Sequence, residues 1–209
     1  MQTRIILIRH GETDWNVERR YLSRTDIDIN DTGRMQILQA LGAVKKEQIV
    51  RVYASDRKRA LNSAALLFAD MTVEKLPELC EMDFGIFEGL RYDEIFEKYK
   101  DIYDRWIDDP RKNTIPEGES FTAFEARVMG EIKEIVSANP GKSVAVVTHG
   151  GVVRLILSNI FKPPRFWYIK MVKPGTVTII ESDRDFNFVV KRYEPDGDVW
   201  PKPAQSNQK

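Results

Sequence analysis

Two short apolar segments, each ending at a histidine, restrict the fold more than any other feature of this chain. The first spans residues 5–8 and leads into His10 and Gly11, and the second spans residues 144–147 and leads into His149. Apolar runs of this length between polar residues are typical of buried strands. The glycine after the first histidine is expected to let the backbone turn sharply and approach a ligand closely.

The two histidines are therefore expected to meet. In an open α/β sheet, ligands bind at the carboxyl ends of the strands, and separate strands bring their ends to the same edge. His10, with Arg9 before it, and His149 are the candidates for such a site, and the chain has no other histidine. A single histidine is more often a packed or surface imidazole, but two at equivalent strand ends favour one shared site.

The rest of the sequence alternates between strand-like and helix-like segments. Strands are predicted at 50–54, at 72–76 and, as an edge hairpin, at 175–180 and 186–190. The first helix is predicted to follow a cap at 30–32, with Met35, Ile37, Leu38 and Leu41 on its apolar face. Further helices are predicted after 55–56, at 91–109, from Ser120 to about 138, and at 152–161, where Pro163 and Pro164 end the last one. This order predicts an α/β fold, a three-layer α/β/α sandwich with a mostly parallel sheet and a helical insertion at about 91–139.

Length and charge limit the protein class. The 209 residues suit a single domain, which we place at 1–193, with a loosely held tail at 194–209. Lys plus Arg and Asp plus Glu both number 32, so no net charge favours nucleic acid, and no segment resembles a signal peptide or a membrane span. The single cysteine, Cys80, predicts a buried, unreactive thiol. A cytoplasmic location is expected.

An aromatic stripe occupies the predicted helix at 91–109. Tyr92, Phe96, Tyr99, Tyr103 and Trp106 are spaced three or four residues apart. This spacing favours a helix face packed on the body of the protein, and a stacking surface for a substrate ring is the alternative.

Several charged residues outside the histidine segments indicate a site for a dianion. Arg59 lies in the first turn of a predicted helix, where backbone N–H groups already favour anions. Glu81 lies in a loop among aromatic residues, where a desolvated carboxyl group and a plain loop salt bridge are both open interpretations. Residues 26–37 imitate a calcium loop but lack its glycine and glutamate. The chain also lacks a nucleotide-binding glycine loop and a serine-hydrolase elbow.

Four motifs occur in order along residues 3–182. They are Arg9-His10-Gly11-Glu12-Thr13, Ser55-Asp56-x-x-Arg59-Ala60, Leu79-x-Glu81-x-x-Phe84-Gly85-x-x-Glu88-Gly89 and Thr148-His149-Gly150. Together they resemble the histidine phosphatase superfamily, which includes the phosphoglycerate mutases. The resemblance implies a phosphoglycerate mutase-like fold and a reaction through a phosphohistidine, without a cofactor or a metal.

The resemblance also implies a role for each matching residue. His10 would be the nucleophile, Arg9, Arg59 and His149 would hold the phosphoryl group, Glu81 would be the proton donor, and Asn16 and Gly150 would contact substrate. Arg57 does not match the arginine position and is taken as surface charge. As proton donor, Glu81 needs a raised pKa, which its apolar neighbours favour and the arginines oppose, and the sequence leaves this balance open.

Within the superfamily, the chain is most similar to α-ribazole phosphatases of cobalamin biosynthesis and to small bacterial broad-specificity phosphatases. This likeness rests on Trp106-x-x-Asp109, Pro116-x-Gly118-Glu119-Ser120 and Phe124-x-x-Arg127, with Glu117 where the subgroup usually has glycine. A metal-independent phosphomonoesterase acting on a small phosphate ester, α-ribazole 5'-phosphate among the candidates, is therefore expected.

Two other functions remain open from the sequence. A phosphoglycerate mutase is disfavoured by the short insertion, and a non-catalytic sensor of phosphorylated ligands is disfavoured by the intact nucleophile and proton donor. A small molecule is the expected partner, with no nucleic acid and no membrane, and a homodimer is left open.

Overall fold

The structure, a computed structural model, describes residues 1–163, 166 and 169–195. The described strands are β1 (Thr3–Arg9), β2 (Ile49–Ala54), β3 (Val73–Lys75), β4 (Ser143–Thr148), β5 (Val177–Ser182) and β6 (Phe188–Arg192). The described helices are α1 (Asp14–Val17), α2 (Asp31–Val44), α3 (Lys58–Leu67), α4 (Tyr92–Asp108), α5 (Phe121–Ala138) and α6 (Gly150–Phe161).

The strands form one sheet in the order β3-β2-β4-β1-β5-β6. The first four are parallel to one another, and β5 pairs antiparallel with both β1 and β6. The predicted mostly parallel sheet with an edge hairpin is confirmed. Because β1 and β4 are neighbours and Arg9 pairs with Thr148, the two histidines follow adjacent positions at the same sheet edge.

The sheet separates two layers of helices. Alternate residues of β1 point to opposite faces, as strand geometry requires. Ile5 and Leu7 pack in the cluster that contains α4, α5 and α6, whereas Ile6 and Ile8 pack in the cluster that contains α2 and α3. All four side chains are fully buried, so the predicted three-layer α/β/α sandwich is confirmed.

The predicted apolar face of α2 is partly wrong. The helix begins after Asn30, whose side chain accepts a hydrogen bond from the Gly33 N–H, so the predicted cap is confirmed. Ile37 is buried as predicted, but Met35 and Leu38 are 59% and 41% exposed. The buried residues are Gly33, Ile37, Ala40 and Val44, which share one face at 3.6 residues per turn, and Met35 and Leu38 lie on the other side.

Most of the aromatic stripe of α4 packs inward, as the packing interpretation predicted, but Phe96 is 37% exposed. Tyr103 and Trp106 are buried, and both contact Phe87 edge-on or tilted at about 6.2 Å between ring centroids. The predicted caps and ends elsewhere need small changes: Ser120 caps α5 as predicted, and α6 begins two residues early, at Gly150. Pro164 and residues 196–209, which include most of the predicted tail, lie outside the described residues.

Within the described part of the chain, no helix has the length and apolar character needed to cross a membrane.

Candidate active site

His10 lies directly after β1, and its side chain is 3% exposed. Its Nδ1 is 2.7 Å from the carbonyl oxygen of Gly11, and because a carbonyl can only accept, Nδ1 must carry the proton. Burial lowers the pKa of His10 well below its usual value, and the nearby Arg59 and Arg9 lower it further. The ring is therefore neutral, with its lone pair on Nε2.

Gly11 has a different role from the one expected. Its backbone is not in the left-handed region, so the chain does not need glycine there for a sharp turn. A Cβ at this position would lie 2.4 Å from the carbonyl oxygen of Gly33, near the start of α2. Glycine is needed because two backbone segments pass in contact, and this contact holds the turn after His10 against α2.

His149 is the N-cap of α6, and its ring lies 5.1 Å from the His10 ring between centroids. Its Nδ1 is 3.2 Å from Nε of Arg59, a group that can only donate, so Nδ1 accepts. Its Nε2–H then donates to the Ser55 hydroxyl at 2.8 Å. Burial, followed by the charge of Arg59, lowers the pKa of His149 well below its usual value.

Arg59 is fully buried in the first turn of α3. Besides Nδ1 of His149, its guanidinium donates to the carbonyl oxygens of Thr25 at 2.9 Å and Ser23 at 2.8 Å. Glu88, from the third motif, accepts the backbone N–H groups of both residues and so holds this loop against Arg59. Within the described part of the chain, these are the partners of three of its five guanidinium N–H groups, and the other two are the candidates for a phosphoryl oxygen.

Arg9 and Gly150 meet at the start of α6. Nη1 of Arg9 donates to the carbonyl oxygen of Val172 at 2.6 Å, which orients the guanidinium across the site. A Cβ on Gly150 would lie 3.2 Å from Cζ of Arg9 and 2.3 Å from Cε of Met171. Glycine at this position therefore leaves room for Arg9 beside the N-terminal turn of the helix.

Glu81 completes the cluster, and the structure gives a direction for its pKa. The side chain is 9% exposed, and burial raises the pKa of this carboxyl. The opposing influences on this pKa are hydrogen bonds from Met82 N at 3.0 Å and Gly151 N at 2.8 Å, and then the charges of Arg9 and Arg59. The partners of the carboxyl group are backbone N–H groups, so the plain loop salt bridge is not what holds it.

The geometry thus brings Arg9, His10, Arg59, Glu81 and His149 to one sheet edge, and the sequence comparisons identify the family. A family model described as the histidine phosphatase superfamily (branch 1) matches residues 5–195. The chain belongs to this superfamily. It is therefore a phosphatase, a hydrolase of phosphate monoesters, as the resemblance of its motifs predicted.

Named relatives are similar over most of the histidine phosphatase chain. A metal-independent phosphoserine phosphatase of Arabidopsis thaliana is 37% identical over 166 residues, which cover 76% of this chain and 68% of the relative. Phosphoserine phosphatase 1 of Hydrogenobacter thermophilus is 30% identical over 148 residues, 70% of each chain. The α-ribazole phosphatase structure from Shigella flexneri superposes with a TM-score of 0.80 at 26% identity and covers 92% of this chain and 96% of that one.

Asn16 and Arg57 differ from the simple expectations for them. In this phosphatase, Oδ1 of Asn16 accepts the Thr13 N–H at 3.1 Å and completes the capping box of α1, in which Thr13 is the N-cap. Its Nδ2 group is the part left to meet a phosphate. That contact stays a prediction. Arg57 is half-buried rather than a free surface charge, and its Nε lies 3.6 Å from a carboxyl oxygen of Asp56.

Three residues near the site, Ser55, Arg127 and Arg154, had no role assigned to them from the sequence. Ser55 is fully buried and fixes His149, although only its place in a motif indicated it. Its hydroxyl lies 3.2 Å from the thiol of Cys80, which is half-buried rather than buried, and burial raises the pKa of that thiol. Arg127 contacts the backbone around Glu81.

Arg154 is the third unassigned residue. It is 2% exposed in α6, with Cζ 5.8 Å from the Phe166 ring centroid, and burial lowers its pKa to about 10. Among the neighbouring charges, Glu81 raises this pKa most. The signal in the sequence was the single charged residue of this helix, placed between apolar residues on both sides.

Proposed function

We propose that this histidine phosphatase is a metal-independent phosphomonoesterase that forms a phosphohistidine at His10 and acts on a small phosphorylated metabolite. The observation that carries this proposal is the state of the His10 ring. It is neutral, and its Nδ1–H is bonded to Gly11, so Nε2 has a lone pair for attack on phosphorus.

In the first step, Nε2 of His10 attacks the phosphorus in line as the ester bond breaks. Charge on the equatorial oxygens is stabilised by the guanidinium groups of Arg9 and Arg59, which suit phosphate geometry. His149 accepts the Arg59 Nε–H on Nδ1 and so orients this guanidinium beside His10. Protonated Glu81 gives its hydrogen to the leaving alkoxide, and its raised pKa supports this role.

In the second step, the ionised Glu81 removes a proton from water. The resulting hydroxide attacks phosphorus, the bond to Nε2 breaks, and inorganic phosphate and neutral His10 are released. One carboxyl group thus serves as acid and then as base, and it returns to its protonated state at the end of the cycle.

The substrate has two supported candidates. O-phosphoserine is supported by relatives named phosphoserine phosphatases at 37% and 30% identity, and α-ribazole 5'-phosphate by the solved neighbour of that name. A panel of phosphate esters that includes both, compared by kcat/KM, decides between them. Phosphoglycerate interconversion stimulated by a bisphosphorylated glycerate, and faster than hydrolysis, would instead support the mutase.

The decisive test traps the intermediate. Denaturation during turnover should leave an acid-labile, base-stable phosphate on His10, and His10→Ala should remove both the label and the activity. A fully active His10→Ala protein would refute the mechanism. An intact protein that binds phosphate esters without labelling or hydrolysis would support the sensor.

Metal independence has its own test. Hydrolysis of p-nitrophenyl phosphate is expected to be unchanged by a chelator, because guanidinium groups supply the charge stabilisation that a metal would otherwise give. The relative at 37% identity is named a metal-independent enzyme, which supports this expectation. Complete loss of activity on chelation would contradict it.

A further inference from the structure

Arg127, in the helical insertion, makes an unusually complete set of contacts with the segment that carries Glu81. Its Nη1 donates to the carbonyl oxygens of Glu78 at 2.6 Å and Cys80 at 2.8 Å, and its Nη2 to that of Glu81 at 3.1 Å. Its Nε and Nη2 bond the two carboxyl oxygens of Glu119 at 2.7 and 2.8 Å. These five contacts match the five N–H groups of a guanidinium.

The segment around Glu81 depends on such donors because it lies outside the sheet. It consists of a short 3₁₀ turn, Pro77–Leu79, followed by irregular backbone up to the next turn, Gly85–Phe87. The bonds to the Cys80 and Glu81 carbonyl groups are partly buried, and carbonyl groups in such places need a hydrogen-bond partner, which a neighbouring strand would otherwise provide. Here one arginine side chain provides it for three carbonyl groups within four residues.

Glu119 extends this arrangement to the other side of Glu81. Its backbone N–H donates to the carbonyl oxygen of Asp83 at 3.0 Å, while its carboxyl group holds Arg127. The pair therefore contacts the chain on both sides of Glu81. The carboxylate offsets part of the guanidinium charge, and the remaining charge of Arg127 is the smallest of the influences that lower the pKa of His149. Arg127→Lys keeps this charge, so its expected effect is on the position of the segment.

We propose that Arg127, paired with Glu119, is the positioning residue for Glu81: it fixes the backbone from 78 to 81 so that the carboxyl group reaches the leaving oxygen. This inference rests on the proposed function, in which Glu81 transfers a proton. It assigns the insertion a part in the reaction, because α5 carries the side chain that holds the acid in place.

If Arg127 only stabilised the packing of the insertion, the same contacts would be present, but its substitution would have different kinetic effects. Loss of position at Glu81 slows esters whose leaving alkoxide needs a proton and spares those with an activated phenolate. Loss of general stability or of the phosphate pocket slows both. The two roles are therefore separated by comparing O-phosphoserine with p-nitrophenyl phosphate in the phosphorylation step.

The experiment measures phosphorylation rates by rapid quench for Arg127→Lys, Glu81→Gln and the double variant. Lysine keeps the charge but cannot span a carboxylate and three carbonyl groups. The matched control is Arg111→Lys, since Arg111 also forms a two-bond pair with a glutamate of this insertion, from Nη1 and Nη2 to Glu125 at 2.6 and 2.9 Å. Glu119→Gln, which weakens the hold on Arg127, is the second variant in case Arg127→Lys folds poorly.

We expect Arg127→Lys to slow O-phosphoserine by about 10- to 100-fold and p-nitrophenyl phosphate by less than about threefold, within the roughly 10²-fold cost of a 1 Å displacement. Glu119→Gln should have the same selectivity, Arg111→Lys should match the wild type, and Arg127→Lys should add almost nothing to Glu81→Gln. Equal slowing of both esters, or full additivity with Glu81→Gln, would overturn the inference alone. A wild-type-like Glu81→Gln enzyme would overturn the proposed role of Glu81 as well.

Discussion

The close contact between Gly151 and Glu81 allows a direct test of the proposed role of Glu81 as proton donor. A Cβ at position 151 would lie 2.1 Å from Oε1 of Glu81, a distance that real Cβ contacts do not reach. Relief to an ordinary tight contact moves the carboxyl group by about 1 Å, and such a displacement of a catalytic group costs about 10²-fold in rate. It also breaks the 2.8 Å bond from Gly151 N to Oε2.

Loss of the hydrogen bond from Gly151 changes the pKa of Glu81 in a defined direction. A bond to an ionised carboxylate is worth about 1.5–3 kcal/mol and favours the charged form, so its loss raises the pKa of Glu81 further. The acid stays protonated to higher pH but is misplaced, so Gly151→Ala should lower kcat/KM for O-phosphoserine by about 10²-fold. Phosphorylation by p-nitrophenyl phosphate should fall by less than about tenfold, because its leaving group needs little protonation.

The assay compares both esters at several pH values, with phosphate or vanadate inhibition as the measure of an intact anion pocket. Gly130→Ala is the control, because it is also a helical glycine and a Cβ there has nothing within 4 Å. That control should raise stability by about 0.5–1 kcal/mol and leave activity unchanged. Wild-type hydrolysis of O-phosphoserine by Gly151→Ala would refute the reasoning about Glu81.

Three further predictions follow from burial and backbone geometry. Both buried histidines have lowered pKa values, so unfolding takes up protons below about pH 6.5, and the free energy of unfolding should decrease as the pH falls, by up to about 1.4 kcal/mol per pH unit for each histidine. Urea unfolding at pH 7 and 5.5 measures this, and His10→Asn should reduce the slope. Glu117 has a φ of 61°, so Glu117→Gly should raise stability by up to about 1 kcal/mol, whereas an unchanged or lower melting temperature would argue against backbone strain there. Ser55→Ala removes the acceptor of the His149 Nε2–H, so it should lower the free energy of unfolding by about 1–3 kcal/mol and also lower the activity. Ser137→Ala, on the surface of α5, should change neither the stability nor the activity in the same melting and kinetic assays.

Much of the fold could be predicted because local signals and global packing agree. The apolar runs before His10 and His149 are strands, and their order with the intervening helices leaves few topologies other than a mostly parallel sheet. The prediction failed where burial depended on which face of a helix meets the sheet. Met35 and Leu38 are apolar but exposed, since the neighbours of α2 cover only the side that carries Ile37.

The active site, too, could be predicted from the sequence only in part. The residue types and spacing in the four motifs indicated which side chains meet, because strand ends and helix starts have fixed places at a parallel sheet edge. The motifs did not determine the proton on each histidine ring, which depends on the Gly11 carbonyl for His10 and on Arg59 and Ser55 for His149. These partners come from distant segments or from the detailed backbone path.

The sequence by itself therefore determined the layers and the sheet edge at which the two histidines meet, because these follow from periodicity and from strand order. The roles of the reacting groups came from the resemblance of the four motifs and stay a proposal. Only the tertiary structure decided the direction of the Glu81 pKa and the means that hold this residue in place. Burial and charge oppose each other at that carboxyl group, and their balance depends on distances. The contacts of Arg127 join residues 46 to 49 positions apart, which no local pattern specifies.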